Sequence, residues 1–187
     1  MGVSERNDID SGGATSAAGQ PVYTIGHGAL EIELLISRLQ RWGVDLLVDV
    51  RSAPYSRRHP QHSRPALSSS VSAVGIEYLF LGKHLGGRPQ DPDARTDGRV
   101  DYRKIARLPA FLAGIERVLT ERECGRRLAL LCAEASPLGC HRALLVAPAV
   151  AARGAPVLHI LASGDIQPHE LLLQRQPGQQ ERLFPGF

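Results

Sequence analysis

Short apolar runs alternate with helical patterns along the middle of the chain. Five of these runs lack polar alternation, which is typical of strands buried on both faces of a parallel sheet. They are residues 22–25, 46–50, 76–81, 127–132 and 157–161. Helix-start signals or apolar residues at helical spacing predict helices over about 30–43, 66–74, 103–122 and 136–153. This alternation predicts a three-layer α/β fold, with a mostly parallel five-stranded sheet and helices on both faces.

The segments outside this pattern are polar. Residues 1–20 are rich in Gly, Ser and Ala without periodicity, and they predict a disordered N-terminal tail. Residues 175–187 predict a polar C-terminal tail, so residues 21–174 form a single domain. Residues 82–101 are rich in Gly, Asp, Pro and Arg and predict a long loop, a feature that in compact domains is often functional.

Composition narrows the class of protein. The 187 residues carry a net charge of +3, and 43% of them are hydrophobic, which indicates one globular domain. No apolar run approaches the roughly 20 residues that a membrane span needs, and no signal-peptide pattern is present. Three cysteines are too few for a disulfide scaffold, so we expect a reducing, cytoplasmic location. Arg supplies nearly all of the positive charge, because Lys83 and Lys104 are the only lysines.

Polar residues and glycines follow the first four strands where each one ends. The strand-end segments are Gly26-His-Gly28, Asp49-Val-Arg51, Lys83-His-Leu-Gly-Gly-Arg88 and Cys132-Ala-Glu134. The helix after the fourth strand adds Cys140-His-Arg142. Ligand sites of parallel sheets lie beyond the carboxyl ends of the strands. We therefore expect these side chains to line one cleft.

The same segments carry a family resemblance. They occur as Thr24-Ile-Gly-His-Gly28, Val48-Asp-Val-Arg51, Leu85-Gly-Gly-Arg88 and Leu131-Cys-Ala-Glu134, followed by Cys140-His-Arg142. In this combination the chain resembles the DUF488 family, a domain of unknown function, over about residues 21–165. The resemblance implies a compact α/β domain of bacterial or archaeal type. It implies no established reaction, so the chemistry has to be argued from the residues.

Cys140 is the candidate nucleophile. With Ser136 as N-cap and Pro137 at the first helical position, Cys140 falls at about the fourth position, where a helix N-terminus favours an anion. Arg142 would add a guanidinium group for a phosphate or carboxylate. A thiolate stabilised in this field is nucleophilic. The alternatives are that Cys140 is a small buried core residue, or that it lines the site without reacting.

Cys132 ends an apolar strand, as the nucleophilic cysteines of phosphatases and sulfurtransferases do. The phosphatase pattern requires an arginine six residues later, where this chain has Leu138, so packing is the favoured interpretation. A further alternative is a zinc site formed by Cys132, Cys140, His141 and His27. The chain lacks a C-x-x-C pair and the cysteine spacing is unusual, so we predict no metal and no other cofactor.

The carboxylates Asp49 and Glu134 are candidate catalytic acids or bases. Asp49 and Arg51 lie two residues apart on one strand face, so a structural ion pair between them is the alternative. Glu134 has the alternative role of capping the next loop. We predict that the substrate is contacted by His27, Arg51, Arg88, His141 and Arg142. His27 lies between two glycines that permit a close backbone approach, although a simple turn is the alternative there.

Three functions fit these residues. The first is an enzyme acting on an anionic substrate such as a nucleotide or phosphorylated metabolite. We predict a hydrolase or group transferase and not a redox enzyme, because no flavin or nicotinamide fingerprint is present. The second is a nucleic-acid-binding module, related to DNA repair, that uses the basic segment 55–65 with Tyr55, Arg57 and Arg58. The third is a small-molecule sensor without turnover. The substrate and the oligomeric state stay open.

Overall fold

The computed structural model describes residues 19–174. The predicted C-terminal tail, and the predicted N-terminal tail apart from residues 19 and 20, lie outside the described residues. The strands are β1 (Val22–Gly26), β2 (Leu46–Asp49), β3 (Glu77–Phe80), β4 (Arg95–Thr96), β5 (Arg99–Val100), β6 (Leu128–Cys132), β7 (Val157–Ile160) and β8 (Ile166–Pro168). The helices are α1 (Ile32–Arg41), α2 (Arg64–Ser72), α3 (Gly82–Leu85), α4 (Tyr102–Ile105), α5 (Pro109–Glu123), α6 (Ala147–Ala151) and α7 (His169–Gln174).

The main sheet has six strands in the order β3-β2-β6-β1-β7-β8. The first five are parallel and correspond to the five predicted strands. The sixth, β8, pairs antiparallel with β7 at the edge, so the predicted number of strands is corrected from five to six. Its three residues include Pro168, which only an edge strand tolerates, and so short a segment shows no strand pattern in the sequence.

Alternate residues of the central strands face two separate apolar clusters. Val22, Leu46 and Leu128 point to the side covered by α3, α4, α5 and the helix that ends with α6. Tyr23, Leu47 and their neighbours point to the side covered by α1 and α2. Burial on both faces explains why these strands read as continuous apolar runs. The predicted three-layer α/β architecture is confirmed.

Two predicted helices differ in detail. The helix predicted over 103–122 is divided by Leu108, because Pro109 starts α5 with Leu108 in an extended conformation. The helix predicted to start at Ser136 instead begins at His141 and continues through a π-helical stretch, Arg142–Val146, into α6. Ser136 Oγ accepts a hydrogen bond from the Leu138 N–H in a local turn. Cys140 therefore precedes the helix and does not occupy its fourth position.

The predicted long loop over 82–101 contains structure of its own. It includes α3 and a small antiparallel hairpin formed by β4 and β5. Within residues 19–174, every helix is too short or too polar to cross a bilayer.

Candidate active site

The C-terminal ends of β2, β6 and β1 are adjacent in the sheet and open into one cleft of about 370 Å³. Six of the sequence-predicted site residues line this cleft: His27, Arg51, Arg88, Glu134, Cys140 and His141. The other two, Asp49 and Arg142, do not line it and are fully buried. A second depression, of about 460 Å³, lies along β8 and α7 and is lined by no titratable side chain.

Asp49 and Arg51 form a buried ion pair at the end of β2. The Arg51 Nε and Nη2 atoms donate to the two carboxylate oxygens of Asp49 at 2.9 and 2.6 Å. Tyr78 on β3 donates its hydroxyl to Asp49 Oδ2 at 2.6 Å. The burial of Tyr78 and its hydrogen bond to Asp49 raise the pKa of the phenol. Asp49 therefore has its oxygens occupied by protein donors, as in the structural alternative considered above.

His27 is held as a neutral ring beside this ion pair. Its Nδ1 donates to the Gly28 carbonyl at 2.9 Å, and its Nε2 accepts from Arg51 Nη1 at 3.1 Å. The ring stacks on that of His62, with centroids 4.3 Å apart. Burial, then the proximity of His62 and Arg51, lowers the pKa of His27 to about 4. Both ring nitrogens are thus used by the protein itself.

Cys132 and Cys140 form a thiol pair at the base of the cleft. Their Sγ atoms are 3.1 Å apart, with Cys140 as donor, and Cys132 Sγ lies 3.5 Å from His141 Nδ1. The hydrogen bond from Cys140 lowers the pKa of Cys132 against the effect of burial, and His141 and the Glu134 backbone N–H add to this lowering. The same hydrogen bond, together with burial, raises the pKa of Cys140. The thiolate therefore belongs to Cys132 and the proton to Cys140.

His141 is oriented by a backbone group. Its Nε2 lies 3.0 Å from the Val50 carbonyl, which can only accept a hydrogen bond, so Nε2 carries a proton. The other nitrogen, Nδ1, faces both sulfur atoms, at 3.5 Å from Cys132 and 4.0 Å from Cys140. A nucleophile next to a base that a third group orients is the arrangement of activated cysteine and serine enzymes.

Arg142 places a cation behind the thiol pair. Its Nη1 and Nη2 atoms donate to the Glu134 and Ala135 carbonyls at 2.5 and 3.2 Å. No carboxylate of residues 19–174 lies within ion-pair distance of this fully buried guanidinium group. The Cys140 sulfur is 3.6 Å from Nη1. Cys140, which accepts from Arg142 and donates to Cys132, therefore links this buried cation to the thiol pair.

Two glycines of the predicted motifs allow this packing. A Cβ atom at Gly26 would collide with the Glu134 carbonyl and lie 2.7 Å from Arg142 Nη1. A Cβ atom at Gly87 would lie 2.7 Å from Cβ and Cγ of His141. These contacts explain why the strand-end segments carry glycine: the backbone has to approach the side chains that surround the sulfur atoms.

The residues that build this cleft are those of a known family. The family model described as "Domain of unknown function DUF488" matches residues 31–148, more than half of the chain. The chain belongs to the DUF488 family. The matched region contains every candidate site residue except His27. No curated protein matches the chain. No solved structure matches it either.

Among residues 19–174 of this DUF488 domain, Cys132, Cys140 and His141 form a group that could hold a soft metal ion, with ligand atoms within 4.8 Å of one another. His27, the fourth ligand of the zinc alternative, uses both ring nitrogens elsewhere. With Zn–S bonds of about 2.3 Å, tetrahedral geometry separates two sulfur atoms by about 3.8 Å. The observed 3.1 Å is shorter and fits a hydrogen-bonded thiol–thiolate pair.

Two features of the DUF488 cleft were not predicted as functional. Cys132 was interpreted as packing, although its position directly at a strand end was a usable signal. Tyr78, beside the cleft, has no signal in the sequence, because its contact with Asp49 depends on β3 lying next to β2 in the sheet. Of the predicted anion-binding arginines, Arg51 donates to Asp49 and to the His62 carbonyl, and Arg142 donates to loop carbonyls. Arg88 is exposed at the cleft.

Proposed function

We propose that this DUF488 protein is a hydrolase or group transferase that uses a cysteine thiolate on a small anionic substrate. The observation that carries the proposal is the position of Cys132 Sγ, which faces an open cleft and contacts both the Cys140 thiol and His141 Nδ1. The nucleophile of the proposal is Cys132, because Cys140 donates the proton that stabilises it. Cys140 itself is the neighbouring donor.

The reaction follows from the groups in contact. In the resting site the proton of Cys132 has passed to His141, and the Cys132 thiolate attacks the electrophilic atom of the substrate. A bond forms between sulfur and the transferred group while the bond to the leaving group breaks, and His141 returns its proton to that leaving group. Water or an acceptor hydroxyl then displaces the thiolate, with Glu134, which also lines the cleft, or His141 as base.

Arg88 supports the anionic nature of the substrate. It is exposed at the cleft, and no carboxylate of the described residues lies within ion-pair distance of its guanidinium group. Its backbone N–H donates to Ser52 Oγ at 3.0 Å, which anchors the start of the side chain. Arg51 and Arg142 would contribute to the positive potential without direct contact, because protein acceptors occupy the Nη atoms of both side chains and neither guanidinium group is exposed.

The test compares two alkylating reagents of similar size, neutral iodoacetamide and anionic iodoacetate. Labelling is read at each cysteine by peptide mass spectrometry, with the exposed Cys124 as internal reference. Cys132 should react at pH 6, well below the ~8.5 of an ordinary thiol, and should favour iodoacetate more than Cys124 does. Arg88→Gln should lower that preference by about fivefold, or about 1 kcal/mol for one partly screened charge.

Two results would contradict the proposal. If Cys132 stays unlabelled until the protein unfolds, the thiol is core packing. If Cys140 is labelled first, the assignment of the nucleophile is wrong. Reagent preference that Arg88→Gln leaves unchanged would remove the argument for an anionic substrate, while a ligand that is bound and recovered unchanged would favour the sensor alternative.

A second candidate function, nucleic-acid binding, has one specific observation in its favour. Tyr55 lines the cleft with 70% of its surface exposed, and Arg57 and Arg58 are exposed next to it. An exposed ring beside two guanidinium groups suits a nucleobase and its phosphates. Salt-dependent binding of a labelled single-stranded oligonucleotide, lost in Arg57→Ala/Arg58→Ala but retained in Arg88→Gln, would support it. Binding that ignores salt would argue against it.

A further inference from the structure

The thiol pair suggests a second chemistry for the cleft. We propose that Cys132 and Cys140 form a reversible intramolecular disulfide when a hydroperoxide reaches the cleft, with Cys132 oxidised first and Cys140 as the resolving thiol. This inference goes beyond the proposed function, because it requires neither turnover nor an anionic substrate. The two proposals share the accessibility and the ionisation of Cys132.

The distance between the two sulfur atoms supports this pairing. They are 3.1 Å apart, so a bond of about 2.05 Å requires them to approach by about 1 Å. Cys132 is the last residue of the buried strand β6, which holds it in place. Cys140 follows two exposed residues, Leu138 and Gly139, and precedes the helix that begins at His141. The mobile partner in this approach is therefore the side chain of Cys140.

The surroundings assign different roles to the two sulfur atoms. Cys132 holds the negative charge and faces the cleft, which is where a small oxidant arrives. Cys140 keeps its proton and lies 4.0 Å from His141 Nδ1 and 3.6 Å from Arg142 Nη1. His141 can remove that proton, and Arg142 can stabilise the thiolate that forms. A low-pKa accessible cysteine next to a second thiol is the arrangement of redox-sensitive cysteine pairs.

Disulfide formation takes two steps, peroxide reduction at Cys132 and attack by Cys140. The Cys132 thiolate attacks one oxygen of the hydroperoxide, an S–O bond forms, the O–O bond breaks, and an alcohol or water leaves after taking up a proton. Cys132 is now a sulfenic acid and the peroxide has been reduced by two electrons. The Cys140 sulfur then attacks Cys132 Sγ, an S–S bond forms, and the S–O bond breaks. Hydroxide leaves as water with the Cys140 proton, and a dithiol such as dithiothreitol restores both thiols.

The chain offers a convenient readout. Trypsin cleavage after Arg127 and Arg142 releases both cysteines in one peptide, residues 128–142, while cleavage after Arg122 and Arg126 releases Cys124 alone. The folded protein is treated with hydrogen peroxide at pH 6.5, and remaining thiols are capped with N-ethylmaleimide. After peroxide, we expect the mass of peptide 128–142 to be lower by two hydrogens, with no maleimide attached. After reduction with dithiothreitol, the same peptide should take up two maleimide groups. Cys124 should stay capped.

The expected rate follows from ionisation. At pH 6.5 an ordinary thiol with a pKa of ~8.5 is about 1% thiolate. The lowered pKa of Cys132 gives it a larger ionised fraction, although a low-pKa thiolate is also the weaker nucleophile. With a Brønsted slope of about 0.4–0.5, the gain in ionisation exceeds the loss of nucleophilicity, and we expect oxidation up to about fivefold faster than at Cys124. Oxidation of peptide 128–142 no faster than that of Cys124 would overturn the proposal.

Serine variants test the order of events. In Cys140→Ser, peroxide should leave Cys132 as a sulfenic acid that dimedone traps. In Cys132→Ser, Cys140 should stay unmodified, and its oxidation there would overturn the assigned roles. Circular dichroism checks that both variants fold.

Zinc bound by the two thiols is a further possible outcome of these experiments. One tightly bound zinc ion per chain that blocks the disulfide until a chelator removes it would overturn the inference and assign the thiols as ligands. Peroxide resistance combined with iodoacetamide labelling of Cys132 at pH 6 would overturn only this inference. The proposed function would then stand.

Discussion

The ion pair at the end of β2 permits a quantitative prediction. Asp49 is fully buried and accepts hydrogen bonds from the Arg51 backbone N–H at 3.0 Å, from Arg51 Nε and Nη2, and from the Tyr78 hydroxyl. Asp49→Asn keeps one acceptor oxygen but places an amide N–H₂ against Arg51 Nη2 and Tyr78. It also leaves the Arg51 charge, only 4% exposed, without its counter-ion.

The magnitude follows from these contacts. Removing one partner of a buried ion pair costs about 3–5 kcal/mol, because the other charge stays buried. For a domain of this size, each kcal/mol lowers the melting temperature by about 2–4 °C, so we expect a decrease of about 10 °C. The free energy of unfolding is measured by urea titration and the melting temperature by circular dichroism, for the wild type and the variant.

Asp45→Asn is the matched control. Asp45 makes the same kind of contact with Arg126 Nε at 3.0 Å, but 47% of its side chain is exposed. A surface pair of this kind contributes about 0–1 kcal/mol. Equal losses in the two variants would refute the reasoning, because burial would then make no difference. If Asp49→Asn retains its stability but abolishes alkylation of Cys132 at pH 6, Asp49 belongs to the chemistry after all.

Three further predictions concern protonation and packing. Burial lowers the pKa of His27 to about 4 and that of His159 to about 3. Between these values and the ~6.5 of a free histidine, the unfolded chain binds more protons than the folded protein does. The free energy of unfolding should therefore fall by about 2 kcal/mol for each of these histidines when the pH is lowered from 7 to 5. Urea titrations at both pH values measure this, and a flat profile would contradict it. Cys140→Ala removes the donor to Cys132 and should raise the pH midpoint of Cys132 alkylation by about 1–2 pH units, the equivalent of one charge-assisted hydrogen bond; an unchanged midpoint would show that the donor is unimportant. In Gly87→Ala, the added methyl group would displace His141, whose ring faces both sulfur atoms, and should slow the alkylation of Cys132 severalfold. Gly19→Ala, with no atom within 4 Å of the added methyl group, should leave that rate unchanged.

The convergence of the strand ends was predictable from the sequence. The five apolar runs identify parallel strands, and parallel strands share one carboxyl edge. His27, Arg51 and Glu134 could therefore be placed at one cleft from their positions after β1, β2 and β6. The two-residue spacing of Asp49 and Arg51 was also sufficient to suggest their pairing.

The contacts within the cleft were not predictable, because they depend on the order of the strands. β6 inserts between β1 and β2, although 78 residues separate the end of β2 from the start of β6. This insertion places Cys132 between His27 and the residues that follow β2. The late start of the helix at His141 then brings Cys140 back to the strand end, where a helix from Ser136 would have carried it away. Neither the order of the strands nor the start of this helix can be read from the spacing of apolar residues in the sequence.

Charge balance connects the fold to the proposed chemistry. Arg142 is fully buried, and among its hydrogen-bond partners in residues 19–174 the titratable side chain is that of Cys140, which is paired with Cys132. A guanidinium group keeps its charge at any pH at which the protein is folded. A hydroxyl in place of the Cys132 sulfur would stay neutral at pH 7 and remove the negative charge of the pair. Cys140 accepts a hydrogen bond from Arg142 Nη1 and donates one to Cys132 Sγ, so the buried arginine acts on the Cys132 thiolate through the Cys140 thiol, at the open side of the cleft where a substrate or an oxidant meets it.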